Sequence, residues 1–219
     1  MKKLLAAIIA AALLLSGCSL SSRPAVSAPP AETPSPSPTP APEPSDDELV
    51  LVRDYIPGIF IDLKYATTDN FTGQVIYDSD EAYLRYGTVK KLLAAQNELS
   101  GRGLSLKIWD AYRPVSAQFK LWEICTNPVY VSDPNNGYSK HSRANTVDIT
   151  LVTDTGKSIP MPSGFDDFTS LADRDYSDVS AEAAENARLL ENVMVENGFV
   201  PYSGEWWHYS DSVSYDVYG

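Results

Sequence analysis

The chain has 219 residues, 43% of them hydrophobic and 21% charged, a globular mixture rather than a disordered or multi-span membrane one. Lys and Arg number 17 against 29 Asp and Glu, for a net charge of −12. That balance argues against nucleic acid as a partner, because phosphate binding needs a basic patch. Two cysteines and two histidines exclude a disulfide-rich scaffold and cysteine-rich zinc modules, so any histidine-based metal site must use His141, His208 or both.

The chain opens on Met1-Lys2-Lys3 and an unbroken apolar run over residues 4–15. This fits a secretory signal and is short for a membrane span. Leu15-Ser16-Gly17-Cys18 follows and resembles a bacterial lipobox, whose cysteine is lipidated and becomes the new N-terminus. The sequence therefore reads as a signal peptide over 1–17, lipidated Cys18 opening a tether over 18–48, and a globular domain over 49–219. The expected place is the extracytoplasmic face of the cell membrane, held by acyl chains at about 0.8 kcal/mol per buried methylene. Nine of the sixteen prolines lie between Pro24 and Pro44, which favours an extended polyproline II spacer with little to bury. With Cys18 lipidated, Cys125 has no partner and reads as a small buried residue.

Residues 49–53 and 60–63 read as short strands. Residues 80–99 read as a helix, with Tyr83, Tyr86, Val89, Leu92, Gln96 and Leu99 at helical spacing and Gly101 as the stop. Residues 104–110 alternate as a strand, and residues 114–125 form a helix with Pro114 in its first turn. Residues 146–152 alternate again: Val147, Ile149 and Leu151 on one face, Thr146, Asp148 and Thr150 on the other. Residues 180–197 form a third long helix, capped by Ser180 and ended by Gly198. A closing strand is expected over 209–218. The elements do not alternate as βαβ units, so the fold class is α+β: one domain with a largely antiparallel sheet flanked by helices.

Both histidines stand near carboxylates. Asp148 follows His141 by seven residues on the polar face of an apolar strand, where an unpaired charge would cost several kcal/mol. A metal or an arginine could satisfy it. Two His and one carboxylate are the ligand set of many catalytic zinc sites, and imidazole favours zinc over magnesium or calcium. Glu205, three residues before His208, is placed to act as the base for an attacking water. On a flat strand those two side chains face opposite sides, so both reach a metal only if the backbone bends between them. Structural readings stand beside these. Each histidine could be a hydrogen-bonded core residue, Arg113 could simply pair with Asp110, and Trp206 and Trp207 read as core and pocket wall.

The stretch from Ser139-Lys-His141 to Asp148 resembles the S-x-H-x-x-G-x-A-x-D motif of D-alanyl-D-alanine metallopeptidases, and Glu205-Trp-Trp-His208 resembles their second zinc motif. Asp62-Leu-Lys-Tyr65 through Gly73 and Trp109-Asp-Ala-Tyr-Arg113-Pro narrow the likeness to the VanX-type D-Ala-D-Ala dipeptidases. The resemblance implies a zinc enzyme that splits D-Ala-D-Ala. His141, Asp148 and His208 would be ligands to one Zn²⁺. Glu205 would be the general base and Arg113 the partner of the oxyanion. Asp166 would hold the substrate ammonium, with Ser139 and Tyr65 as pocket residues.

Two positions depart from the pattern. Ala144 replaces the family glycine, and Thr146 replaces the alanine. If the glycine serves a left-handed backbone angle, alanine reaches it at a cost of about 1 kcal/mol. The expected partners are a small D,D-dipeptide or a peptidoglycan-derived peptide, and the membrane through the anchor. A surface location suits wall-peptide turnover or salvage. The alternatives are a D,D-carboxypeptidase or endopeptidase acting on stem peptides, and a catalytically silent binding protein.

Overall fold

The computed structural model describes residues 42–218. The expected signal peptide, Cys18 and most of the tether lie outside that range. The described part begins with β1 (Leu49–Leu51), a single helical turn α1 (Val52–Tyr55) and β2 (Phe60–Ile61). Next come β3 (Tyr83–Arg85), α2 (Tyr86–Ser100), β4 (Leu104–Asp110) and α3 (Val115–Ile124). β5 (Thr146–Thr153), α4 (Ala181–Glu196), β6 (Phe199–Tyr202) and β7 (Glu205–Asp211) complete the order. Five strands form one sheet in the order β2-β4-β5-β7-β6. Within this sheet the β2–β4 pair is parallel, and β4–β5, β5–β7 and β6–β7 are antiparallel. The domain is therefore α+β around a largely antiparallel sheet, as the pattern implies.

The core lies between this sheet and the helices. Val147, Ile149 and Leu151 of β5 and Leu106 and Ile108 of β4 are almost wholly buried, together with Leu92 and Leu99 of α2 and Leu190 and Met194 of α4. The opposite face of β5 is buried as well: Thr146, Asp148 and Thr150 are all closed off from solvent. Alternation alone suggests a polar face in water. Here that face is closed over by the rest of the domain.

The strand expected over 49–53 gives way to α1 at Val52, and that over 60–63 ends at Ile61; four further local expectations change. The helix expected over 80–99 starts only at Tyr86, because Tyr83–Arg85 pairs antiparallel with β1, Leu49 opposite Arg85 and Leu51 opposite Tyr83. Helical spacing of Tyr83 is thus overridden by a strand partner. The segment expected to be spacer up to residue 48 already belongs to the fold at its end. Glu48 O and Asp46 O accept from Tyr86 N and Gly87 N at 2.8 and 2.9 Å, filling first-turn donors of α2 that no side chain caps. The closing strand is Glu205–Asp211 rather than 209–218. Beyond it the tail carbonyls go to arginines instead of a ladder: Tyr215 O to Arg143 Nη1 at 2.8 Å, and Asp216 O to Arg85 Nη2 at 2.8 Å. Cys125 is a free thiol, but it is partly exposed at the rim of the core rather than buried. The third helix matches its reading: Ser180 Oγ accepts from Ala183 N at 3.2 Å.

Candidate active site

Pairing of β5 with β7 sets Asp148 directly opposite His208. His141 arrives from a 3₁₀ turn, Lys140–Arg143, just before β5. One donor atom from each of the three lies within 4.8 Å of the others. Asp148 Oδ2 is 3.3 Å from His141 Nε2, and its Oδ1 is 3.0 Å from His208 Nδ1. His141 Nδ1 meets the carbonyl of Ala111 at 2.8 Å. A carbonyl only accepts, so Nδ1 carries the hydrogen and Nε2 turns its lone pair toward Asp148. Ring nitrogens of two imidazoles and a carboxylate thus converge in a buried place, where a cation among them can take a lone pair from each. This donor set fits zinc, with a position left over for water or substrate. Without a metal, burial would push Asp148 up, but His141 and His208, carrying protons toward it in that state, hold it far below the usual carboxylate range.

The 3₁₀ turn is pinned from several sides. Ser139 Oγ accepts from His141 N at 3.3 Å, so this residue caps the turn behind the ligand. His141 O accepts from Arg113 N at 3.2 Å and from Ala144 N at 3.0 Å. Ala144, at the end of the turn, has φ 57° and ψ 28° and is fully buried. The replaced family glycine therefore sits in the left-handed region, where a side chain adds strain.

Glu205 reaches the same centre: its Oε2 is 3.4 Å from His208 Nδ1. The bend needed for this is present. Pro201 of β6 pairs with Tyr209, but the next residue, Tyr202, pairs with Glu205. Trp206, Trp207 and His208 therefore bow out opposite one peptide unit. Both tryptophans are wholly buried by this bow, and Trp206 Nε1 donates to Ser163 Oγ at 2.9 Å. Burial, then the charges of Asp148 and Asp166, raise the Glu205 carboxyl to about 8. A dication held by the triad opposes this and favours the carboxylate.

Arg113 does pair with Asp110, and it faces the site as well. Asp110 Oδ2 accepts from Arg113 Nε at 3.1 Å and Nη2 at 2.5 Å, and Gln118 Oε1 accepts from Nη1 at 2.9 Å. Asp110 Oδ1 takes Tyr77 Oη at 2.5 Å and Ala111 N at 2.9 Å. A break in the β4–β5 register between Ile108 and Asp110 turns this carboxylate beneath the site. Asp110, Tyr77 and Gln118 did not stand out as site residues in the sequence. The signals were that Asp110 could pair with Arg113 and lies inside the segment ending in Arg113-Pro114.

Tyr65 and Asp166, 101 residues apart, meet directly: Tyr65 Oη donates to Asp166 Oδ2 at 2.6 Å. The Tyr65 ring also lies 5.0 Å from the Arg113 guanidinium. Burial raises Asp166 to about 7, with the Tyr65 hydrogen bond pulling the other way. Asp166 takes a positive φ of 51°, an uncommon angle for a residue with a side chain. From Tyr65 an aromatic ladder runs outward: Phe71 at 6.4 Å, Phe168 a further 5.4 Å, and Tyr130 stacked 4.4 Å beyond that. Every residue singled out from the sequence within the described range is thus in or against one site, with Ser139 supporting His141 from behind.

The family model described as D-ala-D-ala dipeptidase matches residues 45–215. The chain belongs to this family. It is a zinc metallopeptidase. The D-alanyl-D-alanine dipeptidase of Escherichia coli (strain K12) is 38% identical over 162 residues, covering 74% of this chain and 83% of that protein. The D-alanyl-D-alanine dipeptidase of Enterococcus faecium is 34% identical, covering 71% of this chain and 87% of that protein. Among solved structures, VanYB in complex with D-Alanine-D-Alanine overlays with a TM-score of 0.42 at 17% identity, over 62% of this chain and 75% of that one.

Proposed function

We propose that this peptidase hydrolyses the free dipeptide D-Ala-D-Ala, with His141, Asp148 and His208 holding one Zn²⁺. The observation that carries the reading is the convergence of that donor triad with Glu205 on one side and the Tyr65–Asp166 pair on the other. When bound, zinc supplies the Lewis acidity that brings the pKa of water to about 7. Glu205 accepts the proton of the attacking water at its carboxylate and returns it to the leaving amine. Arg113 has five N–H groups. Three are held by Asp110 and Gln118, and the remaining two are free to donate to the scissile carbonyl oxygen as charge develops there.

A dipeptide also needs its ammonium recognised. Asp166, buried and braced by Tyr65, supplies one anion at one place. Burial raises its carboxyl to about 7 in the metal-free protein, so protonation competes with ammonium binding as pH falls. KM for the dipeptide should therefore rise as pH falls from 8 to 6. The Phe71–Phe168–Tyr130 ladder runs outward beside this pair.

The test presents two substrates to the zinc-loaded, full-length protein: D-Ala-D-Ala, and a wall pentapeptide with the same dipeptide at its end. Glu205→Ala is the control. D-alanine from the dipeptide alone, abolished in the control, supports the reading. Release from the pentapeptide makes it a carboxypeptidase, and release from neither leaves a binding protein.

We also propose that Cys18 is lipidated and holds the enzyme outside the cell membrane, where it serves wall-peptide salvage or turnover. The support is the lipobox-like stretch alone. Retention in the membrane fraction, lost in Cys18→Ala, is the measurement; equal fractionation of the two proteins defeats the idea.

A further inference from the structure

We propose that Arg174, which no motif singles out, is a positioning residue for the metal-binding edge, holding the bowed stretch of β7 so that His208 and Glu205 meet. The proposal rests on the reading of the triad as the zinc site.

The bow creates a chemical problem. Where β6 and β7 lose register, backbone carbonyls are displaced from a regular ladder and need other donors, most of all the part-buried His208 carbonyl. Arg174 meets two of them at the two ends of the interruption. Its Nε donates to Tyr202 O at 2.7 Å and its Nη2 to His208 O at 3.1 Å. The second of these is the carbonyl of a zinc-ligand residue. The guanidinium is itself anchored from behind. Nη1 donates to Glu191 Oε2 of α4 at 3.0 Å and to Tyr209 Oη at 3.1 Å, and the group lies 4.6 Å over the Tyr209 ring. The Arg174 side chain is only 10% exposed.

One rigid fork thus ties α4, the end of β6 and the two residues 208 and 209 together. A planar fork with several donors suits this task; a lysine ammonium, a point donor on a flexible stem, cannot span both carbonyls at once. Without the fork, the bow can relax toward regular pairing. Regular pairing returns Glu205 and His208 to opposite faces of the strand. The consequence reaches zinc before it reaches chemistry, because His208 contributes a ligand.

The experiment compares full-length wild type, Arg174→Lys and Tyr209→Phe below their unfolding temperatures. The zinc dissociation constant is measured by chelator competition, and ligand geometry by the visible absorption of the Co²⁺-substituted protein. The expected result is a zinc dissociation constant raised on the order of tenfold in Arg174→Lys, the scale for supports behind metal ligands, with a changed Co²⁺ spectrum. Tyr209→Phe, which removes one rear anchor, should move both in the same direction by less. If Arg174→Lys does not fold, Tyr209→Phe decides by itself. A lowered Tm with wild-type zinc affinity and spectrum overturns the proposal and leaves Arg174 as a staple of the fold. A wild type that does not bind zinc overturns the reading of the triad itself.

Discussion

β5 and β7 lie side by side and supply the site in opposite ways. β5 is regular from Thr146 to Thr153, and Asp148 reaches the centre by simple alternation. β7 is interrupted, and only the interruption lets Glu205 and His208 share one side. A regular strand offers one ligand per two residues on a face. A base and a ligand three residues apart need a bend, and the bend needs outside support. The regular strand is held by its own ladder, whereas the bowed one depends on side chains from elsewhere.

Substitutions on the two strands sharpen this contrast. Asp148→Ala on β5 removes the carboxylate that both histidines face, so zinc binding should be lost outright, and with it activity; metal content after dialysis reads this. On β7, Glu205→Gln should lower kcat by about 10²–10⁴-fold, the usual worth of a general acid–base group, while zinc stays bound. Loss of zinc in Glu205→Gln would mean that the bowed strand is held by Glu205 itself. Away from both strands, Arg113→Lys should lower kcat by roughly 10²–10³-fold, because a lysine cannot hold Asp110 and Gln118 and still present two donors.

Smaller effects test the supports. In the metal-free protein, the raised Asp166 pKa of about 7 means that the folded state binds this proton more tightly than the unfolded state. Stability should therefore fall as pH rises from about 4 to 7, and urea midpoints across that window should fall less steeply in Asp166→Asn, the raised Glu205 carboxyl keeping its own share of the slope. The smallest change concerns the turn before β5. Ala144→Gly should raise stability by about 1 kcal/mol by releasing the left-handed strain, measured as a higher urea midpoint. A loss of stability instead would show that the buried methyl outweighs the backbone angle.

Much of the site was legible because short-range patterns carry it. His141 and Asp148 sit within one turn-and-strand unit, and Glu205 and His208 within four residues, so the motifs whose resemblance implied the ligand set are local, and the need for a bend followed from spacing. The left-handed backbone at Ala144 was legible too, from a motif position where glycine is usual. The helix α4 was equally local: a serine cap, an apolar stripe and a glycine stop.

The remainder depended on partners far away in the sequence. Tyr83 has helical spacing, but β1 makes it a strand residue. Residues 46–48 look like tether, but their carbonyls complete the first turn of α2. The polar face of β5 alternates like a solvent face, and the loops bury it. The pairing of Tyr65 with Asp166, the reach of Tyr77 to Asp110 and the span of Arg174 across the bow each join residues that no local pattern links. By itself the sequence determined which atoms could bind zinc and move protons, because ligand chemistry and strand or helix period are local properties. Tertiary structure alone decided which buried charges and carbonyls are satisfied by whom, because hydrogen bonds and desolvation depend on neighbours that only folding brings together.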